Sequence, residues 1–197
     1  RDLMDTRTRM PQWLKDSFLG YGDDASLTDV SEVNAHYLFK DAQHLTHSLS
    51  DYQITFTEPD ESKRQPPFKL QFSETDEERS VIVQPYVPGY RERLLSRVNI
   101  NLNVKQVEAI ISSLRKGLTL VSGPSGSGKK ETTAHIISTL YMNAPKERTL
   151  VVSRSNRTLN AILEKIVDVG VDQSHVLRLG YNDEKSLKYD LSESGRI

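Results

Sequence analysis

The chain has no cysteine among its 197 residues, so neither a disulfide nor a thiolate metal site is open to it. That suits a reducing compartment and does not choose between nucleus and cytosol. It also has no excess charge of either sign. Lys+Arg total 26 against 27 Asp+Glu, which removes the global basic signature of a nucleic-acid binder and leaves only a local basic face. No stretch is apolar for long enough to cross a bilayer as a helix, so no membrane partner is expected. There is no signal-peptide pattern after Arg1, no internal repeat and no low-complexity tract. With Arg rather than Met in first place, the chain is expected to be a piece of something longer. Its 36% of hydrophobic residues suffice for a core.

What is present is concentrated in one run, Gly123-Pro124-Ser125-Gly126-Ser127-Gly128-Lys129-Lys130. It fits the phosphate-binding pattern G-x-x-x-x-G-K-[ST] everywhere but at the last position. The glycines let backbone N–H groups approach phosphate, the lysine reaches the β/γ oxygens, and the missing hydroxyl normally ligates Mg²⁺. Lys130 has no oxygen for a metal. It adds a cation where Mg²⁺ would sit, and like charges a few ångströms apart repel by roughly a few kcal/mol in a partly dry site. The run therefore points to nucleotide binding, with ATP as the expected ligand, and argues against Mg²⁺ and hydrolysis. A Lys130 ammonium that neutralises β/γ phosphate without a metal would give binding without turnover.

The surroundings are those a phosphate loop needs. A helix with Asn103 as N-cap carries Val104, Val107, Ile110, Ile111 and Leu114 at helical spacing and stops at Lys116-Gly117. A strand Leu118–Ser122, the loop, a helix Lys129–Tyr141, a strand Thr149–Ser153, a helix Asn156–Val169 and a strand Val176–Leu179 follow. Short apolar strands alternating with helices imply parallel βαβ units. Upstream, Tyr52–Phe56, Phe68–Phe72 and Val81–Tyr86 alternate with period two and read as a small antiparallel β unit. Its inner faces are Tyr52/Ile54/Phe56 and Phe68/Leu70/Phe72, the acidic run Glu74–Glu78 is a hairpin loop, and Pro85 and Pro88-Gly89 end it. Apolar Trp13, Leu14, Phe18 and Leu19 suggest an earlier helix, whereas Phe39, Leu45 and Leu49 give little evidence of structure. The expected class is α/β: part of a RecA-like parallel-sheet P-loop NTPase domain over residues 94–197, preceded by an accessory segment 1–50 and a β unit with linker 51–93.

Two further groups of residues bear on function. Gln106 lies in the helix before the P-loop strand and, taken alone, is a surface glutamine on that helix. Ser153, Arg154, Ser155, Asn156 and Arg157 end the second expected strand before a helix, where hydroxyl, amide, cation and helix N-terminus together suit a nucleic-acid backbone. Ser155 or Asn156 taken singly is equally an N-cap. Arg178 ends the third expected strand on the same edge, as a further RNA contact or as a solvated charge.

Together, the Gln106 element, the P-loop, Thr149–Asn156 with Leu159-Asn160, and His175–Gly180 resemble the first RecA-like domain of superfamily 1 helicases, in particular the Aquarius-like intron-binding helicases of the spliceosome. The likeness extends to Trp13, Leu19–Asp23 and Pro66-Pro67-Phe68. It implies an RNA-binding helicase fold in pre-mRNA splicing, in the nucleus, within a large ribonucleoprotein of spliceosomal proteins and pre-mRNA intron. It also implies that Gln106 takes adenine, that Gly123, Gly126, Ser127, Gly128, Lys129 and Lys130 form the nucleotide loop, and that Ser155 and Asn156 hold RNA backbone. The family's metal-binding Ser/Thr falls on Lys130, so that role does not carry over. No acidic metal motif, second RecA-like domain or arginine finger occurs up to Ile197, and no catalytic residue is assigned to this stretch.

Three readings compete: a splicing protein whose helicase fold holds RNA beside a compromised nucleotide site, an active ATP-dependent RNA helicase that tolerates Lys130, and a small-molecule P-loop kinase. A kinase needs neither Gln106 nor the Ser155-Asn156 strand end. His44 and His47 are spaced as metal ligands but lack a third partner, so no metal site is expected. His135 is expected to pack.

Overall fold

The computed structural model describes residues 32–35, 38–74, 78–87, 101–114 and 118–178. The expected helix around Trp13–Leu19, the Pro88-Gly89 end of the β unit and the Lys116-Gly117 stop lie outside them.

Four strands form the first half: β1 (Glu32–Ala35), β2 (Gln53–Phe56), β3 (Phe68–Glu74) and β4 (Arg79–Pro85), with helix α1 (Ala42–Ser48) between β1 and β2. All three expected strands are present, with the expected inward faces. Phe68, Leu70, Phe72, Val81 and Val83 are buried, while Tyr52, Ile54 and Phe56 are half-buried on the same side. β3 and β4 pair antiparallel, with Glu74 opposite Arg79, and residues 75–77 of the acidic run lie outside the described residues. Two points differ from the sequence reading. The sheet order is β1-β3-β4-β2, and β2 runs parallel to β4, so the unit is mixed rather than antiparallel. β2 reaches the sheet from α1 and leaves through a turn of 3₁₀ helix at Glu61–Lys63, so it is no hairpin partner of either neighbour. In addition, β1 and α1 occupy the stretch that showed little periodicity, and its Phe39, Leu45 and Leu49 are all core. Four residues of β1 are too few to show a period, yet pairing with β3 buries Val33 and Ala35 completely.

Three helices follow: α2 (Val104–Ser113), α3 (Lys129–Asn143) and α4 (Asn156–Asp168), each close to its expected bounds. Asn103 caps α2 as expected, accepting from the Gln106 N–H, while the Gln106 side chain accepts in return from the Asn103 N–H at 2.8 Å. That reciprocal box settles two donors that would otherwise be orphaned at the helix start. Val107, Ile110, Ile111 and Leu114 then enter the same core as the sheet. The β unit is thus docked on the helix that precedes the phosphate loop, and one core spans the two halves. Each large side chain buried there contributes about 1.5–3 kcal/mol.

Helix α3 lies between two cores. Ile136 and Leu140 pack toward the sheet, whereas Ala134, Ile137 and Tyr141 pack with Leu163, Ile166, Val169, Val171 and Val176 around α4. A helix covered on two sides need not show one apolar stripe. Its last residue, Asn143, accepts from the Asn34 N–H at 2.8 Å and donates to the Asn34 carbonyl at 3.2 Å, tying α3 to the outer edge of β1.

The strands expected at Leu118–Ser122, Thr149–Ser153 and Val176–Leu179 are a correction. Among the described residues these segments carry no strand ladder and serve as extended connections. Parallel strands depend on neighbours for their hydrogen bonds and on both faces being covered. Here Leu120, Leu150 and Val152 stay about four-fifths exposed, and Thr119 bonds back to the Ser112 carbonyl instead. The fold is therefore mixed α/β, with β2–β4 as its parallel pair among the described strands.

Candidate nucleotide-binding site

The loop 123–128 leads into the N-terminus of α3. Gly126 and Gly128 have φ of 82° and 80°, a left-handed conformation that side chains rarely adopt; Gly128 is one of the motif's two fixed glycines, whereas Gly126 stands at one of its variable positions. Gly128 is the N-cap of α3 and offers no side-chain hydrogen bond, so the first-turn N–H groups are left without a capping acceptor. Such a terminus favours an anion, through free donors and the positive end of the helix dipole. The Lys129 ammonium donates to the Gly123 and Pro124 carbonyls, each at 2.7 Å, and so spans the loop it is expected to serve.

Gln106 is brought to this loop by the packing of α2. Its Nε2 lies 3.5 Å from the Ser127 carbonyl, and a Cβ added to Gly128 would meet that nitrogen at 2.4 Å. Glycine at 128 is therefore needed for conformation and for room. At Gly123 a Cβ would come within 2.8 Å of the Ser127 hydroxyl oxygen. Gln106, Gly123, Ser127, Gly128 and Lys129 are thus one contiguous group. What the sequence reading missed is that Gln106 serves the α2 cap as well, although the Asn103…Gln106 spacing is itself the signal for a capping box.

Lys130 is the second residue of α3, exposed, and has no hydrogen-bond or ion-pair partner among the described residues. The hydroxyls nearest in sequence are engaged within the helix: Thr132 donates to the Gly128 carbonyl at 3.1 Å and Thr133 to the Lys129 carbonyl at 2.9 Å. Glu131 pairs with Lys165 of α4 and lies 3.8 Å from His135 Nε2. His135 is buried as expected, and burial lowers its pKa from the usual 6.5, with the Glu131 carboxylate opposing and Lys165 reinforcing that shift. Among the described residues no three acidic or histidine side chains are grouped to hold a metal. His44 is accounted for otherwise, its Nδ1 accepting from the Lys40 N–H at 3.2 Å.

The second group of candidates divides. Ser155 caps α4, accepting from the Thr158 N–H at 3.4 Å, and Ser153 donates to the Ser155 carbonyl at 3.3 Å. Arg154, Asn156 and Arg157 are exposed around that helix start. Arg178 departs from the solvated charge considered above: it is 8% exposed and donates from Nε to Asn160 Oδ1 at 2.9 Å. The Leu159-Asn160 pair that follows the capped start of α4 thus anchors an arginine from the segment beyond α4, a pairing over 18 residues that no local pattern announces.

The family described as the intron-binding protein aquarius insert domain matches residues 29–110, and the family described as an AAA domain matches residues 101–194. The RNA helicase aquarius of Mus musculus is 33% identical over the whole of this chain. Pre-mRNA-splicing factor cwf11 of Schizosaccharomyces pombe is 27% identical over 81% of it, and DNA polymerase alpha-associated DNA helicase A of Saccharomyces cerevisiae is 33% identical over 50%. The chain spans 15%, 12% and 14% of those proteins, respectively.

Proposed function

This is an Aquarius-like chain, an insert-domain segment running into a P-loop NTPase segment, and from that premise we propose that it serves a nuclear pre-mRNA splicing protein that holds RNA on a helicase fold with an impaired nucleotide site. The observation that carries the reading is Lys130, an exposed cation in the first turn of α3 at the place where the loop pattern calls for a metal-binding hydroxyl. In this reading ATP phosphates lie on the loop 123–128 and Lys129, with the base toward Gln106. The RNA backbone follows Ser153, Arg154, Ser155 and Asn156, and Arg178 positions α4 through Asn160 rather than facing solvent. The finer expectation of a RecA-like parallel sheet draws its support from the exposed apolar side chains of Leu120, Leu150 and Val152, which strands laid beside segments 118–122 and 149–153 would cover; no such ladder is present among the described residues. The divisions at residues 50 and 93 set an accessory segment, a β unit with its linker and a helicase segment in order, although one core takes in residues from Val33 to Leu114. Spliceosomal proteins and an intron are the expected partners.

The donors present do not fit Mg²⁺. The position that would ligate it is an ammonium, and Thr132, Thr133 and Glu131 are engaged elsewhere. The test is RNA-stimulated ATP hydrolysis by the full-length protein beside its Lys130→Thr and Lys129→Ala variants. Silence in the parent with turnover in Lys130→Thr is expected. Turnover in the parent that disappears in Lys129→Ala would replace this reading with that of an active helicase.

A further inference from the structure

We propose that the phosphate loop takes its nucleoside polyphosphate free of divalent metal, with the Lys130 ammonium standing where the metal would be. This rests on the nucleotide-site reading above and adds what form of ligand the site selects.

Three observations converge. First, α3 begins with two consecutive lysines against the positive end of its own dipole, an arrangement disfavoured unless an anion answers it. Second, no protein anion does so: Glu131, the acidic residue of that turn, is committed to Lys165 and leans toward His135, and Lys130 has no partner among the described residues. Third, the capping oxygen that helices usually place at this end is missing, because the cap is Gly128, so the first-turn N–H donors and the Lys130 ammonium are open to one ligand. Lys129 bridges the loop carbonyls of Gly123 and Pro124, and in this proposal it exchanges them for phosphate oxygens.

Charge decides the form of that ligand. A metal-free triphosphate brings its full negative charge to two ammonium groups and a helix terminus. The metal complex brings less charge and sets a divalent cation beside Lys130, where the two repel. A site built this way keeps its affinity when the metal is removed, whereas a loop with a hydroxyl at 130 loses it.

The experiment is calorimetric titration of ATP into the full-length protein, in Mg²⁺ and in EDTA, for the parent, Lys130→Thr and Lys130→Arg. The parent is expected to bind with dissociation constants within about threefold of each other in the two buffers. Lys130→Thr should bind roughly tenfold more weakly in EDTA and recover with Mg²⁺, and Lys130→Arg should keep the metal-free affinity. Parent binding at least about tenfold tighter with Mg²⁺, or no binding in either buffer, overturns the proposal. RNA affinity measured on the same preparations separates the two readings. If RNA binds and ATP behaves as an ordinary metal complex, only the metal-free form is wrong. If ATP binds without metal and RNA is not held, it is the RNA-holding function that fails.

Discussion

Asn143 is where the phosphate-loop helix is fastened to the accessory sheet, and its replacement offers a test of how the two halves are joined. Its side chain accepts from the Asn34 N–H at 2.8 Å, and its amide donates to the Asn34 and Thr139 carbonyls at 3.2 and 2.9 Å. The Thr139 bond is local to α3, but the two to Asn34 span 109 residues. Asn143→Ala removes both bonds to Asn34, a loss of about 1–3 kcal/mol at 0.5–1.5 kcal/mol per bond. Asn143→Asp keeps the acceptor but turns a carboxylate toward two carbonyl oxygens at the negative end of α3, so it is expected to be no better than alanine above pH 5 or so. Hydrogen exchange in the full-length protein reads this locally. Peptides covering residues 32–35 should exchange about five- to 150-fold faster in Asn143→Ala, by the usual tenfold per 1.4 kcal/mol. An acceleration below about twofold, or an Asn143→Asp protein as well protected as the parent, would refute the claim that this bridge fastens β1.

Three further outcomes follow from the same contacts. Gly128→Ala forces a side chain into a φ of 80° and against Gln106 Nε2, and should cost about 1–3 kcal/mol of local stability. The cost should shrink when combined with Gln106→Ala, as a double-mutant cycle by hydrogen exchange would show. His135 has its pKa lowered by burial, so the unfolded chain takes up a proton first as pH falls. The stability of the α3–α4 pair is complete above about 6.5 and declines as pH drops below it, and exchange rates in that pair should lose this dependence in His135→Gln. Ser155→Ala should weaken the start of α4 by about 0.5–1 kcal/mol, whereas Ser155→Gly should cost only a few tenths. A loss of RNA affinity in the glycine variant would identify the hydroxyl as an RNA contact, and unchanged affinity would leave it a cap.

The nucleotide loop was legible because its signal is local. Gly126 and Gly128 are glycines for a backbone reason, Lys129 for a charge reason, and the Asn103 and Ser155 caps for the donors they satisfy, each within a few residues. The three β-alternating runs were legible because one face of each meets the core. β1 was not, since four residues fit any period, nor was the parallel pairing of β2 with β4, which depends on where α1 carries the chain. The segments around Leu120 and Leu150 show the converse failure. Their apolar character is that of strands, but a ladder is a property of pairs, and among the described residues neither has a partner. Arg178 taught the same lesson for charge: its sequence neighbours suggest an exposed cation, and only the return of the chain past α4 places Asn160 against it.

What the amino-acid order decided by itself was the helices and their ends, the three alternating strands, the phosphate loop and the absence of a metal-binding hydroxyl at Lys130, because each depends on residues adjacent in the chain. Tertiary structure decided how the β unit docks on α2 and is bridged to α3, that Gln106 reaches Gly128, and that Glu131 is drawn to Lys165 and so leaves Lys130 unanswered. Those contacts join residues tens of positions apart, and only the burial of a shared core brings them within hydrogen-bonding distance.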